Sequence, residues 1–157
     1  MCHTCRIASC VFLLTSMAVV RADDKDDNDA KAAEVKKLEG TWKVKSGEFS
    51  GKALTPPELG IDTLVVGGEK LTLKLGAKEV ASYPFEVFPD RKPKGMVWTK
   101  EQDGKKATHP LIYEIDGATL KICFPMLGKK APEEAPKPPE NFDTKGKPLG
   151  LIVAEKK

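Results

Sequence analysis

The chain is poor in the residues that most often carry chemistry. Of its four cysteines, Cys2, Cys5 and Cys10 crowd the first ten positions and Cys123 stands alone further on, while the histidines are His3 and His109. A single cysteine beyond residue 10 excludes an intrachain disulfide from the body of the chain, so a domain built there depends on its apolar core. Metal sites of closely spaced Cys and His ligands are excluded with it. Long apolar runs are equally scarce: the one candidate, 7–20, is shorter than the ~20 residues that span a bilayer. Charge of one sign is not in surplus either. The 26 Lys and Arg stand against 23 Asp and Glu and are interspersed with them, which leaves no basic face for nucleic acid.

What is present begins with a leader. Arg6 closes a short polar start, 7–20 is apolar but for Ser and Thr, and Val20-Arg21-Ala22 offers small residues where a signal peptidase cuts. Residues 1–22 are therefore expected to be a cleaved secretory signal, which sends the protein to the periplasm or beyond and leaves it no stable membrane anchor. Cys2, Cys5 and Cys10 leave with that segment. Ile7-Ala8-Ser9-Cys10 has the outline of a lipidation box, but Cys10 opens the apolar stretch where a lipid-bearing cysteine should close it. Loss of 22 of the 157 residues leaves 135, with 24 basic side chains against 23 acidic ones. That length supports one core and one domain, 30–157.

Acidic residues without apolar ones make 23–29 a disordered lead-in. From 30 to 39 the composition is helix-forming, Val35 and Leu38 share a face, and Gly40 can end the helix. Beyond it the apolar period falls to two. Strands are expected at 41–49, 62–66, 70–75, 80–88, 95–99, 108–115, 119–124 and 149–155, separated by Gly, Asp and Pro turns. Such a pattern predicts an all-β, eight-stranded antiparallel barrel behind a short N-terminal helix.

Turn chemistry sets the register. With Asp116-Gly117 as a two-residue loop, Ile115 falls opposite Ala118, Tyr113 opposite Leu120, Leu111 opposite Ile122 and His109 opposite Phe124. With Asp103-Gly104 as the preceding loop, Trp98 meets His109 and Met96 meets Leu111. Both turns bury the same face. A second hairpin puts Leu64 and Val66 with Leu71, Leu73 and Leu75 on that face. The Pro-rich, charged stretch 127–147 fits no central strand and reads as an extended surface loop, solvated or used to meet a partner in the cell envelope.

No catalytic set accompanies the scaffold. His109 falls inward and Cys123 outward, which separates the one conceivable nucleophile and base. The carboxylates Glu48, Glu86, Glu114 and Asp116 come from separate strands with mixed or outward parity, and Gly67-Gly68 opens no helix. No metal or other cofactor is expected.

Gly40-Thr41-Trp42 joins helix to strand, so that the indole can plug one end of a closed sheet. Gly-x-Trp at such a join is the mark of lipocalin-like barrels. The wider run 38–48, with Gly51-Lys52 and Leu54, resembles the opening of the planctomycete-type uncharacterised lipocalin-like domain, and 113–124 and 149–153 resemble its later blocks. That family commonly has Arg-Pro-x-x-Phe before its last strand; Pro139 and Phe142 match, while Pro138 takes the arginine position. The resemblance implies a small exported barrel with no assigned biochemical function.

An eight-stranded barrel is just wide enough to be filled by side chains or to hold one small ligand. The inward set includes Trp42, Phe85, Met96, Trp98, His109, Tyr113 and Phe124, the candidate ligand-contacting residues, with Tyr113 able to offer an orienting hydroxyl. The leading expectation is an exported, non-enzymatic module binding a small apolar or amphipathic molecule. The alternative is a solid-core interaction module of the envelope, acting through its outer face or the 127–147 loop. A hydrolase-type activity at the barrel mouth is the least favoured reading.

Overall fold

The computed structural model describes residues 23–102, 105–126 and 136–157. The expected leader, 1–22, and the first part of the Pro-rich stretch, 127–135, lie outside the described residues.

Helix α1, Asp23–Leu38, comes first. Lys31, Glu34, Val35 and Leu38 form the i, i+3, i+4, i+7 stripe that turns from solvent, with Glu34 and Leu38 buried. The helix takes in the acidic stretch 23–29, which composition assigned to a disordered lead-in. Gly40 follows with φ +129°, a conformation that side chains avoid, and opens β1, Gly40–Phe49. Trp42 is fully buried and donates from Nε1 to the Leu38 carbonyl at 2.7 Å, which ties the last helical turn to the barrel.

The other strands are β2 Lys52–Leu54, β3 Thr63–Gly67, β4 Lys70–Leu75, β5 Lys78–Phe88, β6 Lys94–Gln102, β7 Lys105–Asp116, β8 Thr119–Pro125 and β9 Leu149–Lys156, with a single-turn helix α2, Pro56–Leu59, before β3. From β3 onward each strand pairs antiparallel with the next. Strand β1 pairs with both β3 and β9, so β1 and β3–β9 close an eight-stranded antiparallel barrel. Closure leaves no long sheet edge to template aggregation. Strand β2 is a three-residue spur on β1.

Register follows the expected faces with one correction. Trp98 lies opposite His109 and Met96 opposite Leu111, while Leu64 meets Leu73 and Val66 meets Leu71. Between β7 and β8, however, Tyr113 sits opposite Ile122 and Ile115 opposite Leu120, and the expected pairings of Leu111 with Ile122 and His109 with Phe124 do not form. Gly117, at φ +56°, takes the first loop position and Asp116 pairs with Thr119, so the turn centres on Gly117-Ala118. The offset is an even number of residues, so every side chain keeps its face.

Two bulges adjust the alternation. The β1–β9 register slips at Lys45, after which Gly47 is buried and Phe49 turns to the barrel side. A second slip, between Glu79 and Ala81, leaves Val80 out of the β4–β5 ladder. Leu75 is expected inside but is 44% exposed, because it lies at the hairpin tip above the rim.

The described part of the Pro-rich stretch is a docked strap rather than a solvated flap. Pro139 and Thr144 are buried, Thr144 Oγ1 donates to Glu48 and accepts from the Gly51 N–H at 3.2 Å, and the Met126 N–H donates to the Pro148 carbonyl at 2.8 Å. Ile112 and Cys123 oppose each other on the outward face of β7 and β8 yet are buried; Pro138 and Pro139 border the same cleft as Ile112.

Candidate functional site

The two ends of the barrel differ. The end beneath α1 is filled: Trp42, Leu71, Met96, Leu111, Tyr113 and Ile122 are each at most 1% exposed. Lys94, opposite Tyr113 in the ladder, donates to the buried Glu34 carboxylate, and Lys37 does so at 3.0 Å. Burial works to raise the Glu34 pKa, but the two ammonium bonds outweigh it and hold the carboxyl below its usual range. The Tyr113 hydroxyl makes no hydrogen bond of normal geometry. Burial first, then the neighbouring Glu34 charge, hold its pKa well above that of an ordinary phenol.

At the other end the interior opens into a cavity of about 630 Å³. That volume lies in the range of small-molecule sites. Four aromatic rings cross it from strand to strand. Tyr83 of β5 stacks on Trp98 of β6 with centroids 5.6 Å and planes 10° apart, Trp98 lies 6.2 Å from Phe124 of β8, and Phe124 meets Phe49 of β1 edge-on at 6.1 Å. Such ring pairs contribute ~0.5–1.5 kcal/mol each beyond their burial. Trp98 Nε1 donates to Met96 Sδ at 3.2 Å, which orients the indole.

Two glycines make room for this arrangement. A Cβ at Gly150 would sit 2.6 Å from the Phe124 ring, and one at Gly47 would sit 2.5 Å from Leu59 Cδ1. Leu59 belongs to α2, which closes one side of the mouth together with Gly60 and Ile61. That helix is legible in Thr55-Pro56-Pro57-Glu58-Leu59-Gly60: the Thr55 N–H donates to Glu58 at 2.7 Å, Pro fills the first turn, and Gly60 stops it at φ +69°.

The seven expected contact residues divide between the two ends. Trp98, His109 and Phe124 line the cavity, whereas Trp42, Phe85, Met96 and Tyr113 belong to the packed core. The Tyr113 hydroxyl therefore faces the Glu34 cluster and not a bound molecule. The cavity also recruits Phe49, Leu73, Val80, Tyr83, Lys100 and Ile152. Tyr83 and Ile152 were readable by alternation with Phe85 and Ala154; Phe49 was not, because the Lys45 bulge inverts its parity.

His109 is half-buried at the rim, and burial first, then the Lys100 charge, push its pKa below the usual value. Cys123 lies on the opposite face of the sheet, and burial pushes its thiol up to about 11. Among the described residues no three His, Cys, Asp or Glu side chains gather as a metal set, and no helix is long and apolar enough to cross a membrane. No family model, curated protein or solved structure matches the chain.

Proposed function

We propose that this barrel is an exported, non-enzymatic, lipocalin-like module that binds a small apolar or amphipathic molecule in its open mouth. The carrying observation is the contrast between the ends. One is packed to exclusion of solvent, while the other holds about 630 Å³ bounded by four aromatic rings and by Leu73 and Ile152. Aromatic side chains bordering unfilled space supply apolar area at little entropic cost, which is how a binding surface differs from a core. The separation of His109 from Cys123 supports binding over catalysis, and the leader at 1–22 supports export. The Gly40-Thr41-Trp42 join, with its indole plugging the base, supports the lipocalin-like reading.

Native mass spectrometry after gentle purification from the producing cells tests it. The expected result is a one-to-one small-molecule adduct that Trp98→Ala weakens or removes. Bare protein that co-purifies with a defined protein partner would count for an interaction module instead.

A further inference from the structure

We infer that the ligand is an anionic amphiphile, its apolar part among the aromatic rings of the mouth and its carboxylate or phosphate head at the rim beside Lys100 and His109. This rests on the binding reading above and adds the chemistry of the head.

The charge of the wall points that way. Among the described residues, Lys100 and His109 are the basic groups lining the cavity and no carboxylate lines it. Both are delivered by the register. Lys100 lies two residues beyond Trp98 on β6, hence on the same inward face at the rim, and its partner across the ladder is Ala107, whose methyl group leaves it unobstructed. His109 is the partner of Trp98 and the diagonal neighbour of Lys100. An anion between them gains from the ammonium, accepts an imidazole N–H, and relieves the repulsion that Lys100 exerts on a protonated His109.

The barrel also provides a way out for the head. Strands β5 and β6 pair only from Phe85–Trp98 to Phe88–Gly95. Beyond Pro84, the rest of β5 stays with β4 while the end of β6 stays with β7, so the two hairpin arms part. The resulting notch, about 750 Å³, shares Val80, Ala81, Tyr83 and Lys100 with the mouth. Pro84, at the parting point, has no N–H to satisfy. Glu101 and Lys106 also border the notch, but they face each other on the outward side of the ladder, so Lys100 sets the charge next to the cavity. Val80 and Met126, 51% and 40% exposed, continue the apolar wall out to the rim, where an alkyl chain would cover them.

Four probes with one decyl-length chain separate the possibilities: decanoate, decyl phosphate, decanol and decyltrimethylammonium. Each is titrated below its micellar concentration against the purified protein and against Lys100→Gln, with Trp98 fluorescence and calorimetry as readouts. The expected result is that at least one anion binds about fivefold or more tighter than decanol, with the ammonium weakest. Lys100→Gln should remove that preference, bringing the anion down to the affinity decanol shows for the same variant. Preference for decanoate alone or decyl phosphate alone identifies the head as carboxylate or phosphate. Equal binding of anion, alcohol and ammonium, or a preference that survives Lys100→Gln, overturns the headgroup inference and leaves the cavity reading standing. If no probe binds, both fall.

Discussion

Replacing Gly150 with alanine should leave the barrel folded and close its mouth. A Cβ there would lie 2.6 Å from Cε2 and Cζ of Phe124 and 2.9 Å from Cε1 of Phe49. Those separations are roughly 1 Å inside the ~3.5–4.0 Å at which carbon atoms attract. The backbone cannot retreat, because Gly150 pairs with Phe124 on one side and Phe49 on the other. The rings must yield, and the free space beside them is the cavity. Forcing a methyl into a packed site costs ~1–3 kcal/mol, and open space next to the rings puts the expected cost at the low end, about 1 kcal/mol. For a chain of this length that is a Tm loss of roughly 2–4 °C. Binding should suffer more than stability, since rings swung inward take the volume an alkyl chain would fill; decanoate affinity should drop about tenfold, on the order of 1.4 kcal/mol. Thermal unfolding by circular dichroism and a decanoate titration read the two quantities. A Tm loss beyond about 10 °C would mean the backbone, not the rings, requires glycine. Unchanged decanoate binding would refute the placement of Phe49 and Phe124 at the ligand.

Three further expectations concern the filled end and the outer face. Trp42→Phe removes the indole donor from the Leu38 carbonyl and should cost about 1–3 kcal/mol in urea unfolding, with α1 signals lost first in hydrogen exchange. Because the folded pKa of Glu34 is depressed, its contribution is present above the ordinary carboxylate range and is lost as pH falls through the folded value. Glu34→Gln should thus lower stability at pH 7, and the gap to the parent should narrow toward pH 3; a gap constant with pH would show that the Lys94 and Lys37 bonds carry no ionic contribution. Cys123, buried with a thiol pKa of about 11, should resist alkylation at pH 8 in the native protein and react at the rate of unfolding, followed by mass spectrometry of its peptide. Rapid native labelling would refute the burial of the thiol.

Strand positions and faces were readable because each depends on near neighbours. Met96, Trp98, His109 and Leu111 alternate along two strands consecutive in the chain, and the pairing they predicted is the one observed. The two-residue error at Gly117 did no harm to the faces for the same reason. Where a contact depended on an inserted residue the pattern failed: Lys45 turns Phe49 inward and Val80 leaves its ladder, and neither bulge has a signature in the alternation. The strap whose Pro138 and Pro139 border a cleft with Ile112 was hidden too, since outward parity says nothing about what lies beside a face.

From the amino-acid order alone came the barrel, the helix that precedes it and the separation of His109 from Cys123, since periodicity and turn chemistry are local properties. Tertiary structure decided that the barrel is filled at one end and open at the other. Trp42, Met96 and Tyr113 share a face with Trp98 and Phe124, yet the former meet α1 and the core while the latter border open space. A cavity is the difference between the volume that many elements enclose and the volume their side chains occupy, and no single strand carries that difference in its pattern.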